Sequence, residues 1–153
     1  MTMESGMSVL EAVEIRGDAP ELRAALLEGE LPVADLEDPG RLFFRIENEG
    51  QLLGYAGLEI FGADALLRSI VVPGRLRGQG HGRTLVDAAQ REASRRGVTQ
   101  LWLFTSSAVG FFSHLGYAVT PREAAPATIL ATRQATKICA TAAMLARRIA
   151  PSA

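Results

Sequence analysis

Six consecutive residues, Arg77, Gly78, Gln79, Gly80, His81 and Gly82, set three glycines within five positions between an apolar run and a helical one. The run before them is Leu66, Leu67, Arg68, Ser69, Ile70, Val71, Val72; after them Leu85, Val86, Asp87, Ala88 and Ala89 have helical spacing. Glycines at a helix start leave its first amides, which lack intrahelical partners, open to an anion, and the helix dipole favours negative charge there. Arg75, Arg77 and Arg83 add side-chain cations. The chemistry of the segment is that of a phosphate cradle. A plain turn with solvated arginines is the competing reading, but it leaves unexplained why three entropically costly glycines open a helix.

The details narrow the ligand. A mononucleotide loop ends in Gly-Lys-Ser or Gly-Lys-Thr, whereas Gly82 is followed by Arg83 and Thr84. A dinucleotide fingerprint spaces its glycines as G-x-G-x-x-G and needs an acid at the end of the next strand. Here the glycines are evenly spaced and that strand ends Phe104, Thr105, Ser106. A nucleotide-dependent enzyme is therefore disfavoured.

The elements that must hold the cradle follow from pattern. Residues 8–16 read as a first strand, and a short helix starts at Pro20, with Leu22, Ala25, Leu26 and Leu27 on its buried stripe. Residues 31–39 are acidic and irregular. Strands at 42–48 and 52–61 flank a turn at Glu49, Gly50 and Gln51, and a further strand covers 65–72. A helix over 82–96 ends at Arg95, Arg96 and Gly97. A strand at 99–104, a helix over 107–115 and a short strand at 117–120 follow. Residues 121–131 are ambiguous around Pro126, and 140–149 suits either a helix or an edge strand. Mostly antiparallel strands followed by one strand–helix–strand crossover make an α/β (α+β) domain, with the cradle at the carboxyl end of the first crossover strand.

Composition bounds the rest. The 153 residues suit one domain over 1–153, with 48% hydrophobic and 22% charged residues. A net charge of −1 gives no basic field for nucleic acid. Cys139 alone makes no disulfide framework, and with only His81 and His114 no metal site is read. No apolar run is long enough for a bilayer span, and residues 1–5 do not read as a signal peptide. A cytoplasmic protein is the expectation.

Arg77, Gly80 and Gly82 also form an Arg-x-x-Gly-x-Gly pattern. With the strand before it, this resembles the acetyl-CoA signature of the GCN5-related N-acetyltransferase (GNAT) superfamily. A second block, Ala108, Val109, Gly110, Phe111, Phe112, Ser113, His114, Leu115, Gly116, Tyr117, resembles the late helix of that family. The two stand in the family's order and together cover roughly residues 58–120. Within the superfamily the chain is most similar to small acetyltransferases associated with bacterial arsenic resistance. That likeness rests on residues 65–69, on Gly110, Phe111 and Phe112, on residues 123–127, and on Ala131, Thr132 and Arg133. A fainter likeness runs to the acetyltransferase domain of N-acetylglutamate synthases.

The resemblance implies a GNAT fold, a mixed, mostly antiparallel sheet splayed at the cofactor strand and flanked by helices. It implies acetyl-CoA as co-substrate and the primary amine of a small, amino-acid-like molecule as acceptor, with a homodimer as a common assembly. The amides of Arg77, Gly78, Gln79, Gly80, His81 and Gly82 would bind the CoA pyrophosphate, with Arg77 and Arg83 assisting. The backbone of Ile70, Val71 and Val72 would pair with pantetheine, and a bulge there would open a slot against residues 101–104. Acetyl transfer needs a neutral amine, and a carboxylate can take its proton directly or through water. Glu59 is the candidate, against an exposed strand glutamate. Arg68, with Ser69, can grip an acceptor carboxylate; a surface salt bridge to Glu59 or Asp64 is the alternative. One departure stands out. Phe112 occupies the position where many members carry a tyrosine able to protonate the leaving thiolate, and Thr105 stands where asparagine is common. Protonation then falls to Thr105, Ser107, His114 or water, or is not needed. The same departure keeps open a non-catalytic acyl-CoA-binding module or sensor. Arsenic linkage rests on resemblance alone, Cys139 reads as a buried small hydrophobe, and Trp102 as core.

Overall fold

In the computed structural model, which describes residues 9–150, the periodicities become strands and helices in one layered arrangement. The order is β1 (Leu10–Ile15), α1 (Pro20–Glu28), β2 (Arg41–Asn48), β3 (Gln51–Phe61), β4 (Asp64–Val71), α2 (His81–Arg95), β5 (Gln100–Thr105), α3 (Val109–His114), β6 (Ala118–Val119), α4 (Ala127–Leu130) and β7 (Ala143–Arg148). Pro20 opens α1, where its missing N–H costs nothing. Glu49 and Gly50, both at positive φ (52° and 81°), make the tight turn between β2 and β3. The residues 1–5 and Ser8 named above lie outside the described ones.

A seven-stranded sheet runs β1-β2-β3-β4-β5-β7-β6. Its pairs are antiparallel except β4 with β5, which the α2 crossover makes parallel. One face packs on α2 and α3, where Leu85, Val86, Ala89 and Phe112 meet Phe44, Ile46, Leu58, Leu101, Leu103 and Leu145. The other face carries two smaller apolar clusters. Leu22 and Leu26 of α1 pack with Leu36, Phe43, Tyr55 and Val71; Ile129 of α4 packs with Leu66, Trp102, Met144 and Ala146. Along β4, the buried Arg68 stands between Leu66 of one cluster and Val71 of the other.

Some elements differ from the sequence expectation. Residues 140–149 hold neither a helix nor an edge strand: β7 is interior, paired with β5 along its whole length and with β6 at Ala118 and Val119. The free side of β5 needs a partner of its own length, which the two-residue β6 cannot supply. Helix α3 starts at Val109 because the Thr105 hydroxyl oxygen accepts the Ala108 N–H at 3.0 Å and holds the preceding residues in a turn. Leu27 is 54% exposed and does not join the buried stripe of α1. The ambiguous stretch 121–131 becomes a short turn and then α4, and a π-helical turn over Gln134–Ile138 follows it. Arg122 staples it down, donating to the carbonyls of Ala135, Cys139 and Ala142 with its guanidinium 4.6 Å over the Phe104 ring.

Candidate active site

The parallel ladder between β4 and β5 is short. It pairs Asp64 with Gln100, Ala65 with Leu101 and Leu66 with Trp102, and then stops, although both strands continue. The cause lies in β4. Tyr55 faces Val71 and Gly57 faces Arg68, so Ala56 alone opposes Ser69 and Ile70. This is a bulge, and Ser69 occupies the left-handed region at φ 57° to make it. The strands part above the Leu66–Trp102 rung. From Leu66 to Val71 the slot runs about 16 Å at the usual strand rise.

The glycine segment closes the top of this slot. Gly80 is the N-cap of α2 at φ 80°, with no side-chain cap, so the first amides of the helix have no side-chain acceptor. Gly78 has the same φ, and a Cβ at either position would meet nothing within 4 Å. Open space therefore surrounds the two positive-φ glycines. Arg77 is exposed and its Nε donates to the Val72 carbonyl at 3.1 Å. Arg83 is exposed on the first turn of α2, and Gly82 sits under the ring of Phe111, 3.2 Å from where a Cβ would be. The Gly74 N–H donates to Glu28 at 2.7 Å, tying the end of α1 to the approach of the cradle.

Glu59 is not an exposed strand glutamate: it is 2% exposed. Its Cα partner across the strands is Leu66, the last rung before the slot opens. Glu59 thus lies one strand away from the vertex of the split. Arg68 is also buried, and its salt bridges are interior ones. It donates to Glu59 at 2.8 Å and, through both terminal nitrogens, to Asp35 at 2.6 Å each. Its Nε donates to the Ser69 hydroxyl at 3.2 Å. Asp64, the other carboxylate considered for Arg68, instead accepts the Trp102 indole N–H at 2.9 Å. Gly57 makes the room, since a Cβ there would sit 3.2 Å from the Arg68 Cγ and 3.0 Å from the Phe43 ring.

Asp35 and Arg41 were not singled out by sequence. Asp35 comes from the acidic loop, is fully buried, and accepts from Arg41 at 3.2 Å as well as from Arg68. Burial pushes the Asp35 carboxyl up, but hydrogen bonds and charge from Arg68 and Arg41 outweigh it and hold the group below the ordinary range. Burial likewise opposes the Arg68 cation, and Asp35 with Glu59 more than restores it. Arg41 stands across from Glu59 in the β2–β3 register and approaches it at 3.8 Å. Its buried Nε has no hydrogen-bond partner in the protein. A cavity of about 320 Å³ opens beside these groups, lined by Arg41, Glu59, Phe61, Thr128, Ala131, Thr132 and Arg133. Arg133 pairs with Asp38 at 2.7 Å across its rim.

The remaining candidates divide. Phe112 is buried, edge-on to Phe111 and Tyr117. Thr105 spends a lone pair on Ala108 and keeps its own proton. Ser107 and His114 are exposed. Cys139 is half-buried, and burial raises its thiol pKa, which disfavours the nucleophilic thiolate. Burial also pushes Tyr55, bonded to Glu21 at 2.6 Å, up to about 12.

A sequence model of the acetyltransferase (GNAT) family matches residues 10–117. An uncharacterised N-acetyltransferase of Chlorobaculum tepidum is 32% identical over 90 residues, covering 58% of this chain and 57% of that protein. The N-acetylglutamate synthase of Neisseria gonorrhoeae, solved with coenzyme A and L-arginine, superposes with a TM-score of 0.72 at 20% identity. The match covers 93% of this chain but 33% of the synthase. A GNAT-family acetyltransferase of Staphylococcus aureus superposes at 0.69 and 19% identity, over 92% of this chain and 99% of that one. At these identities the two structures speak to the fold alone.

Proposed function

We propose that this chain, which belongs to the acetyltransferase (GNAT) family, moves an acetyl group from acetyl-CoA to the primary amine of a small, amino-acid-like acceptor by direct attack in a ternary complex. One observation carries the reading: β4 and β5 split above the Leu66–Trp102 rung, directly below an uncapped helix start. The pyrophosphate of CoA would lie on the amides of residues 77–82, with Arg77 and Arg83 beside it. The pantetheine arm would pair with the backbone of Ile70, Val71 and Val72, which the bulge turns away from β5. The similar Neisseria structure holds coenzyme A, which agrees with this donor.

In the step itself the amine nitrogen attacks the thioester carbonyl carbon, the C–S bond breaks, and the amine proton passes to Glu59, through water where needed. The CoA thiolate leaves as such or takes a proton from Thr105 or solvent. The cavity beside Glu59 suits the rest of the acceptor. Arg41 offers it a buried Nε–H without a protein partner, Arg133, paired with Asp38, stands at the rim, and Thr128 adds a hydroxyl. Arg68 has four of its five N–H donors engaged by Asp35, Glu59 and Ser69 and is not part of that lining, so in this reading Arg41, and not Arg68 with Ser69, meets the acceptor. The reading takes residues 1–153 as one domain of the cytoplasm, monomeric or homodimeric, with no nucleic acid or membrane partner.

The test is release of CoA thiol from acetyl-CoA over a panel of amino acids, their phosphinic and arsonic analogues, polyamines and aminoglycosides. Turnover confined to amino-acid-like amines is the expected result, and the analogues test the arsenic-resistance likeness. Phe112, buried and without a hydroxyl, favours a second reading as a non-catalytic acyl-CoA sensor. In that case acetyl-CoA raises the melting temperature while no amine releases thiol. Stabilisation by NAD or ATP in place of acetyl-CoA would exclude both readings.

A further inference from the structure

Asp35 is the least exposed ionisable side chain among the described residues, at 0%. It stands outside the strands that form the slot. Resting on the reading of Glu59 as base, we propose that Asp35 is a positioning residue: by capturing the two-pronged edge of Arg68 it leaves Glu59 free to take a proton.

A guanidinium presents five N–H donors in a rigid fork, and a carboxylate that meets the fork edge-on takes two of them. Asp35 holds that edge, with both contacts at 2.6 Å. Glu59 receives a single bond at 2.8 Å on Oε2. Its Oε1 has only the 3.8 Å approach of Arg41, beyond hydrogen-bond range. Without the Asp35 charge, Glu59 becomes the carboxylate left in reach of Arg68, and the fork turns onto both of its oxygens. The same turn draws the Arg68 Nε away from Ser69, whose left-handed backbone makes the bulge. A residue 33 positions before Arg68 in the chain therefore decides which of two carboxylates the arginine neutralises.

If Asp35 merely balanced a buried cation, its loss would cost stability and nothing specific to turnover. The experiment measures kcat, KM and acetyl-CoA affinity for Asp35→Asn, Glu59→Gln and the double variant Asp35→Asn/Arg68→Gln, all in the full chain. Asp35→Asn should lower kcat roughly 100-fold while acetyl-CoA affinity stays within roughly threefold. The double variant, which keeps Glu59 opposite Arg41 and removes the fork, should regain at least roughly tenfold in kcat over Asp35→Asn. A kcat for Asp35→Asn near that of the wild type, a parallel loss of acetyl-CoA affinity, or no recovery in the double variant would overturn the proposal. Should Asp35→Asn fail to fold, the charge-balanced double variant decides. A kcat within roughly tenfold of wild type supports the proposal, and a loss beyond roughly 100-fold overturns it. Glu59→Gln separates the two failures. If it turns over like the wild type, the base assignment falls and this proposal with it. If it is inactive while Asp35→Asn is unimpaired, only the role of Asp35 falls.

Discussion

Replacing Arg68 by glutamine should be the most damaging single change in the sheet. The buried cluster sets Arg41 and Arg68 against Asp35 and Glu59, two charges of each sign. Arg68→Gln leaves two buried carboxylates facing Arg41 alone. Removing one partner of a buried pair costs about 3–5 kcal/mol. A chain of this size loses about 2–4 °C per kcal/mol, so the melting temperature should fall by about 6–20 °C. The pH dependence carries a second signature. In the wild type Asp35 is held below its ordinary pKa, so its contribution is complete above about pH 3.9 and is lost as pH falls through the lower folded value. In Arg68→Gln, burial is opposed by Arg41 alone, so the folded pKa of Asp35 rises. The gap between the two proteins is then largest at neutral pH and shrinks as pH falls and the carboxyl protonates. Melting curves of both proteins at pH 7.5 and at about pH 5 check this, with the gap expected to narrow on acidification. A drop smaller than about 2 °C, or a gap that widens toward low pH, would refute the reasoning.

Arg77→Glu should weaken acetyl-CoA binding by about 10- to 100-fold, as expected for reversing a charge-assisted contact to phosphate; titration calorimetry reads this, and unchanged affinity would remove the cradle assignment. Gly54→Ala puts a Cβ 2.4 Å from the Val71 carbonyl oxygen and 2.7 Å from a Leu85 methyl. Backbone cannot yield there, so about 1–3 kcal/mol of stability should be lost in chemical denaturation. Gly80→Ala meets no atom but forces a side chain to φ 80°, costing about 1–2 kcal/mol, whereas Gly110→Ala, which meets nothing and has no such strain, should be neutral or stabilising. Equal melting temperatures for the Gly80 and Gly110 variants would contradict the left-handed cap.

What could be read beforehand was what is local. Pro20 and the Arg95–Gly97 neighbourhood marked helix ends because capping acts within a few residues, and the cradle showed itself because glycine has few other reasons to cluster before a helix. The burial of Glu59 and the pairing of Arg68 did not show, since both depend on which loop covers the sheet. Asp35 sits among Glu37 and Asp38 in a segment with the look of a solvated one, and only folding brings it to a partner 33 positions away. Position 140–149 was undecidable for a similar reason: helix and strand compositions overlap in Ala-Met-Leu-Ala, and the choice belongs to the unsatisfied side of β5.

That insertion of β7 between β5 and β6 also bears on the order in which the molecule can assemble. The half of the sheet from β2 to β4 is made of hairpins with turns of two residues, whose contacts close early and cheaply. The other half must wait, because β5 ends at Thr105 and its antiparallel partner begins only at Ala143. A chain halted between those points would carry a formed hairpin half beside a strand with one bare edge, the kind of edge that recruits other chains. Slow translation or a nonsense codon in that interval should therefore yield aggregates rather than a smaller soluble enzyme.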